Sequence, residues 1–174
     1  MKRGEKGLTV VEVIVAVAIS AIISATAVMT VAQIVRSSES NNDCTTTIRQ
    51  AQNLGHWISQ DVLMAQTITV GDDPETTTDV EFITSTWMDW ETGDTYDIRY
   101  LWFDSADSLK GLKRNQVTRD EDDVEIDNRT TLVADNIYTA DLSLQDGLWT
   151  LSVETRSGDK SVTREYEIGY RLAQ

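Results

Sequence analysis

The chain holds one cysteine, one proline and one histidine in 174 residues, and each scarcity excludes something. A lone Cys44 permits no internal disulfide and leaves the redox compartment undecided. Its polar neighbourhood, ESNNDCTTT, supplies no cation to lower its pKa, which argues against a reactive thiol. The single proline is Pro74, and no glycine occurs between Gly7 and Gly55, so a long N-terminal region carries neither helix breaker. His56 has no second histidine to work with. No strand–turn–helix nucleophile elbow is present, so a surface or sheet-capping role is the plain reading, and nothing asks for a cofactor. Positive charge is scarce too. Fifteen Lys and Arg face 29 Asp and Glu, a formal charge of −14. Phosphate binding needs basic surface, so no nucleic-acid partner is expected.

What is present is an apolar run. From Val13 to Val35 no residue is charged. A helix over those residues reaches roughly 35 Å at about 1.5 Å per residue, enough to span a hydrocarbon core of roughly 30 Å. Ahead of it, residues 1–7 (MKRGEKG) carry three cations and one anion. That bias places the N-terminus on the cytoplasmic side and the bulk of the chain across the membrane. A secretory signal peptide would need a small-residue cleavage site after a shorter apolar core. Ala25-Thr26-Ala27 offers one nominally, but the run continues to Val35, so the helix is expected to be retained. Glu12 is the anomaly. A carboxylate in a membrane helix costs about 2.5 kcal/mol or more near the centre. It either leans to the membrane edge or awaits a partner cation.

Basic leader, Gly7, apolar Leu8, Thr9, Val10-Val11, Glu12 and then an uninterrupted apolar helix resemble the class III signal of the type IV pilin and pseudopilin family. The resemblance implies that a prepilin peptidase cuts between Gly7 and Leu8 and methylates the new N-terminus on Leu8. It also implies that Glu12 pairs with the amine of a neighbouring subunit in a helical filament. Other pilin or pseudopilin subunits and an inner-membrane assembly platform are the implied partners. Leu8 stands where Phe is usual. Removing residues 1–7 leaves a net charge of −16, since three cations and one anion depart.

Past the membrane segment the chain stays helix-compatible. Residues 36–47 are polar and weakly helical, a helix surface or a joint. Ile48, Ala51, Gly55, Ile58, Val62 and Ala65 then recur at three- and four-residue spacing, a packing face broadened by Leu54, Trp57, Leu63 and Met64. If continuous from Leu8 to about Gln66, the helix runs roughly 90 Å. Residues 71–79 read as a turn and linker. Beyond them the period changes to two. Strands are predicted at 80–87, 95–103, 109–117, 130–133, 137–144, 148–155 and 162–172, with turns at Asp104–Asp107, Asp135-Asn136, Asp146-Gly147 and Ser157–Asp159. The expected class is α+β, a long helix packed on an antiparallel sheet. The expected organisation is a leader at 1–7, a membrane and assembly half-helix at 8–35, an amphipathic half-helix at 36–68 and an extracytoplasmic β domain at 69–174.

The segment His56–Ala65 and the order Tyr96–Phe103, Leu112-Lys113-Arg114, Leu132–Ile137 and Leu148–Arg171 are similar to minor pseudopilins of the J class and related minor pilins. The acidic run Asp120–Asp127 is the one metal candidate, with Asp120, Asp122 and Asp123 as calcium ligands. It lacks the glycine and spacing of an EF-hand loop, and a solvated acidic loop is the default. Trp87-Met88-Asp89-Trp90 could grip a partner as an exposed tip. The expected role is a structural subunit, not an enzyme. It would serve a type II secretion pseudopilus or a type IV pilus-like filament, with a DNA-uptake minor pilin as the alternative. A membrane-anchored enzyme or sensor domain is the reading from another class.

Overall fold

The computed structural model describes residues 9–71 and 80–169, which divide into two compact units, 1–42 and 43–174. A single helix, α1 (Val10–Met64), runs through both. In the first unit it is exposed all round, as a helix built from Val, Ile and Ala on every face must be when no protein covers it. In the second unit it acquires one buried stripe: Thr47, Ala51, Leu54, Gly55, Ile58, Asp61 and Val62. The division between the units falls inside the polar stretch 36–47.

The expected α+β class is the observed one. Among the described residues seven strands follow α1: β1 (Thr67–Val70), β2 (Glu81–Met88), β3 (Thr95–Asp104), β4 (Lys110–Arg119), β5 (Glu125–Gln145), β6 (Leu148–Ser157) and β7 (Lys160–Gly169). Each pairs antiparallel with the next, in sequence order. Alternation decides the faces. Ile98, Tyr100 and Trp102 of β3 point inward, as do Trp149, Leu151 and Val153 of β6. Together with Leu54, Ile58 and Val62 they form one core between helix and sheet. Leu63 and Met64, expected on the packing face, are instead 47% and 58% exposed, because the stripe ends on Val62 and Ala65.

Three further differences have local causes. The helix stops at Met64, short of the expected Gln66, because Thr67–Val70 is a β-branched run that pairs with Ile83–Thr86. The strands expected at 130–133 and 137–144 are one 21-residue strand, β5, and Asp135-Asn136 makes no turn. Its register shifts opposite Leu112 and again between Ile137 and Thr139. There the strand leaves β4 and joins β6, a change that bulges accommodate without breaking the chain direction. Gln50 Nε2 donates to Asp135 Oδ1 at 2.6 Å and Asn53 Nδ2 to the Val133 carbonyl at 2.6 Å, so helix side chains hold the crossing point. The segment expected between β3 and β4 carries a short 3₁₀ turn, Ala106–Ser108. The turn at Asp146-Gly147 has both residues at positive φ (52° and 79°), the geometry that a tight hairpin requires. Residues 72–79 of the expected linker 71–79, and the C-terminal residues from Tyr170 onward, lie outside the described residues.

Candidate functional site

In the first unit, Thr9 and Glu12 close on each other. The Thr9 backbone N–H and its Oγ1 hydroxyl donate to Glu12 Oε2 at 2.8 and 2.9 Å, and the Glu12 N–H reaches Thr9 Oγ1 at 3.3 Å. This is a capping box: Thr at the N-cap, Glu at the third helical position, each satisfying the other's free backbone donor. Glu12 therefore starts the helix as well as carrying charge. Its Oε1 takes no hydrogen bond among the described residues. Gly7 and Leu8, the expected cleavage and methylation site, lie outside the described residues.

Beyond Glu12 the helix is suited to lipid or to other helices. Three of its hydroxyls are satisfied internally: Ser20 Oγ donates to the Ala16 carbonyl at 2.8 Å, Thr26 Oγ1 to Ile23 at 2.8 Å and Thr30 Oγ1 to Thr26 at 2.9 Å. Such back-bonding gives these three hydroxyls a partner that persists in an apolar medium. Among the described residues α1 is the one helix long and apolar enough to cross a membrane.

In the second unit an ionic cluster is buried. Asp61, on the last turn of α1, accepts from Arg114 of β4 through Nε–Oδ2 at 2.7 Å and Nη2–Oδ1 at 2.9 Å, and it also accepts from the Tyr100 hydroxyl of β3. Asp61 and Arg114 are 4% and 7% exposed, and Tyr100 is fully buried. The Arg114 guanidinium lies 5.0 Å from the Trp57 ring centroid, and its Nη1 donates to Gln116 Oε1 at 2.9 Å. Burial, and then the Asp61 charge beside it, push the Tyr100 phenol far above its ordinary range. Burial works against the charged Arg114, but its bonds to Asp61 outweigh that and raise its pKa. Two charges and a phenol thus satisfy one another where water does not reach. The cluster holds no nucleophile or free base aimed at a cavity. It is a clasp between helix end and sheet.

Two more contacts extend the clasp along the helix. Thr155 Oγ1 donates to the Thr47 carbonyl at 2.8 Å, and Tyr166 OH donates to the Ala51 carbonyl at 3.0 Å. The Tyr166 ring lies over Gly55, where any Cβ would overlap it.

The other sequence candidates are dispersed. His56 is exposed beside Trp57, at a centroid distance of 6.2 Å, and Cys44 is exposed. Asp120 Oδ1 accepts the backbone N–H groups of Asp122 and Val124 at 3.0 and 2.9 Å, so it closes its own loop. Asp123 turns back toward Arg119 at 3.7 Å. Among the described residues no three His, Cys, Asp or Glu side chains are grouped to hold a metal ion. Trp87 stacks on Tyr96 at 5.3 Å, whereas Trp90, in the β2–β3 turn, is 80% exposed. Sequence reasoning missed Thr9 as a cap, although Thr-x-x-Glu before an apolar run signals one. It also missed the clasp, whose signal was a lone Asp and a lone Arg at inward positions of two apolar patterns.

A capped, exposed apolar helix continuous with a helix packed on an antiparallel sheet defines an α+β protein with a hydrophobic N-terminal helix. Residues 2–28 match the family model described as the prokaryotic N-terminal methylation motif. That match supports the type IV pilin and pseudopilin class, and the motif implies processing by a prepilin peptidase and assembly with other pilins. Comparison with curated proteins and with solved structures finds no match for the chain.

Proposed function

We propose that this chain is a minor pilin or minor pseudopilin, a structural subunit of a type II secretion pseudopilus or a type IV pilus-like filament that serves protein secretion. The observation that carries the reading is the methylation motif over residues 2–28 running directly into the capped apolar helix. The subunit sits in the cytoplasmic membrane with its N-terminus inside and its β unit outside. Hydrolysis of the Gly7–Leu8 peptide bond frees an α-amine on Leu8, and methylation leaves that nitrogen basic. In lipid, neither this amine nor the Glu12 carboxylate has water to stabilise its charge. Pairing them between neighbouring subunits removes both penalties at once and draws the helices together. The Glu12 oxygen not used by Thr9 is the natural acceptor. The helix is retained because the cut falls before it.

The first test is the N-terminal mass of the protein recovered from its own membranes. A chain beginning at Leu8 with one added methyl supports the reading; an intact Met1 in the presence of the peptidase, or a start near Thr26, refutes it. A subunit of a DNA-uptake filament is the second reading, and the same processing applies to it. The acidic chain makes direct DNA contact by this subunit unfavourable. Secretion and uptake are separated by which transport fails when the chain is deleted. An anchored enzyme or sensor domain predicts that Glu12→Ala leaves its activity intact; the filament reading predicts lost incorporation.

A further inference from the structure

Four strand edges lie open among the described residues: β1, β7 and one side of each half of β5. The last two arise because β5 serves two neighbours in turn. Residues 125–136 pair with β4 alone, and pairing with β6 begins at Ile137, opposite Thr155. Near the crossing point Asn53 and Gln50 cover the edge through Val133 and Asp135. From Glu125 to Thr131 the side of the strand turned away from β4 has no backbone partner among the described residues. Unpaired N–H and C=O groups in a row are a template for another strand.

This edge differs from the other three. The second half of β5, open on the side turned away from β6, exposes Tyr138 and Leu144 but carries a single carboxylate, Asp141, along residues 138–145. β1 is four residues long and offers little ladder. β7 has no large apolar side chain exposed along its described length. The β5 half-edge is bracketed by Val124, Ile126 and Leu132, which are 56%, 55% and 54% exposed. Its charge is one-sided. Arg119 is taken by Asp97 and Asp123, and Arg129 by Asp127, whereas Glu121, Asp122 and Glu125 have no ion-pair partner among the described residues. The β2–β3 turn adds Asp89, Glu91 and Asp94, and it approaches so closely that a Cβ on Gly93 would lie 2.8 Å from Glu121 Cγ.

We propose that the 125–131 edge of β5 is a docking site for an extended, basic segment of a partner protein, which joins the sheet as a further strand. Backbone hydrogen bonds supply the alignment, the exposed aliphatics supply apolar contact, and the unpaired carboxylates select Lys and Arg over acidic side chains. A second copy of this chain would bring the same excess of carboxylates to the edge and is disfavoured by repulsion. The inference concerns the β unit and stands whether or not the N-terminus is processed.

The test is amide hydrogen exchange on the full chain in detergent micelles, with and without a synthetic strand of alternating Lys and Val, and with its Glu and Val counterpart. The basic peptide should slow exchange across residues 125–131 by about tenfold or more, and the acidic one should not. The double variant Glu125→Lys/Asp127→Lys should weaken the basic peptide about tenfold and admit the acidic one. Unchanged exchange in β6 would certify that this variant is folded; if it is not, the two peptides on the unaltered chain decide the matter alone. The proposal is overturned if the basic peptide leaves 125–131 unprotected, if β7 is protected instead, or if both peptides protect equally. Concentration-dependent protection of 125–131 without peptide would also overturn it, in favour of a second copy.

Discussion

Asp61 and Arg114, 53 residues apart, meet through two parallel hydrogen bonds of 2.7 and 2.9 Å in the interior of the β unit. The pair ties the last turn of α1 to the middle of β4, and Tyr100 closes it from β3. Removing one partner leaves the other charge buried. Asp61→Ala should therefore destabilise the β unit by about 3–5 kcal/mol, whereas Asp61→Leu/Arg114→Met should recover much of that loss. Denaturation of the three proteins, followed by Trp fluorescence, checks this. A double variant no more stable than Asp61→Ala would show that the pair is not the source of the cost.

Tyr100 adds a dependence on alkaline pH. Its folded pKa is raised, so the stabilisation is complete below the unfolded value, about 10, and is lost as pH climbs above it. Unfolding above that pH releases the phenolic proton. Stability should fall by about 1.4 kcal/mol per pH unit on account of Tyr100, and Tyr100→Phe should flatten the slope by that amount. Phenolate absorbance provides a second readout, since Tyr100 should titrate only as the chain unfolds.

Gly55 reverses the ordinary helix rule. Glycine to alanine inside a helix normally stabilises by about 1 kcal/mol. Here the added methyl meets the Tyr166 ring, which also donates to Ala51. Gly55→Ala should cost about 1–3 kcal/mol by displacing that ring. The second-site change Tyr166→Val should restore the usual sign, as thermal unfolding of the single and double variants will register.

Thr9 and Glu12 separate capping from charge. Thr9→Val removes the side-chain half of the box and should cost about 0.5–2 kcal/mol at the helix start, while leaving the carboxylate for a neighbour's amine. Glu12→Gln retains a side chain that can still accept from Thr9 but removes the charge. On the proposed function, Glu12→Gln should abolish incorporation into filaments and Thr9→Val should spare most of it. Equal loss in both, measured on sheared filaments, would assign the effect to helix capping.

Much of this is legible in the sequence. The apolar run, the basic leader and Glu12 are local features, and the match over residues 2–28 rests on the same short stretch. The alternation of Ile98, Tyr100 and Trp102 marks a strand wherever it occurs, because side chains alternate across any sheet. The Asp146-Gly147 turn is equally local, since positive φ at two adjacent residues favours Asp and Gly. β5 was not legible in this way. Asp135-Asn136 has turn chemistry, and only the neighbouring strands and the helix side chains Gln50 and Asn53 hold it extended.

The sequence by itself determined the membrane-suited N-terminal helix and most of the strands with their order, because periodicity, capping and turn preference act over a few neighbouring residues. The tertiary structure alone decided which polar groups are buried together and which edge stays open. Asp61 finds Arg114 across 53 residues, and β5 changes partners at Ile137. Both outcomes depend on packing between segments far apart in the chain, where burial sets the strength of a charge pair and the paths of neighbouring strands set which backbone groups remain unpaired.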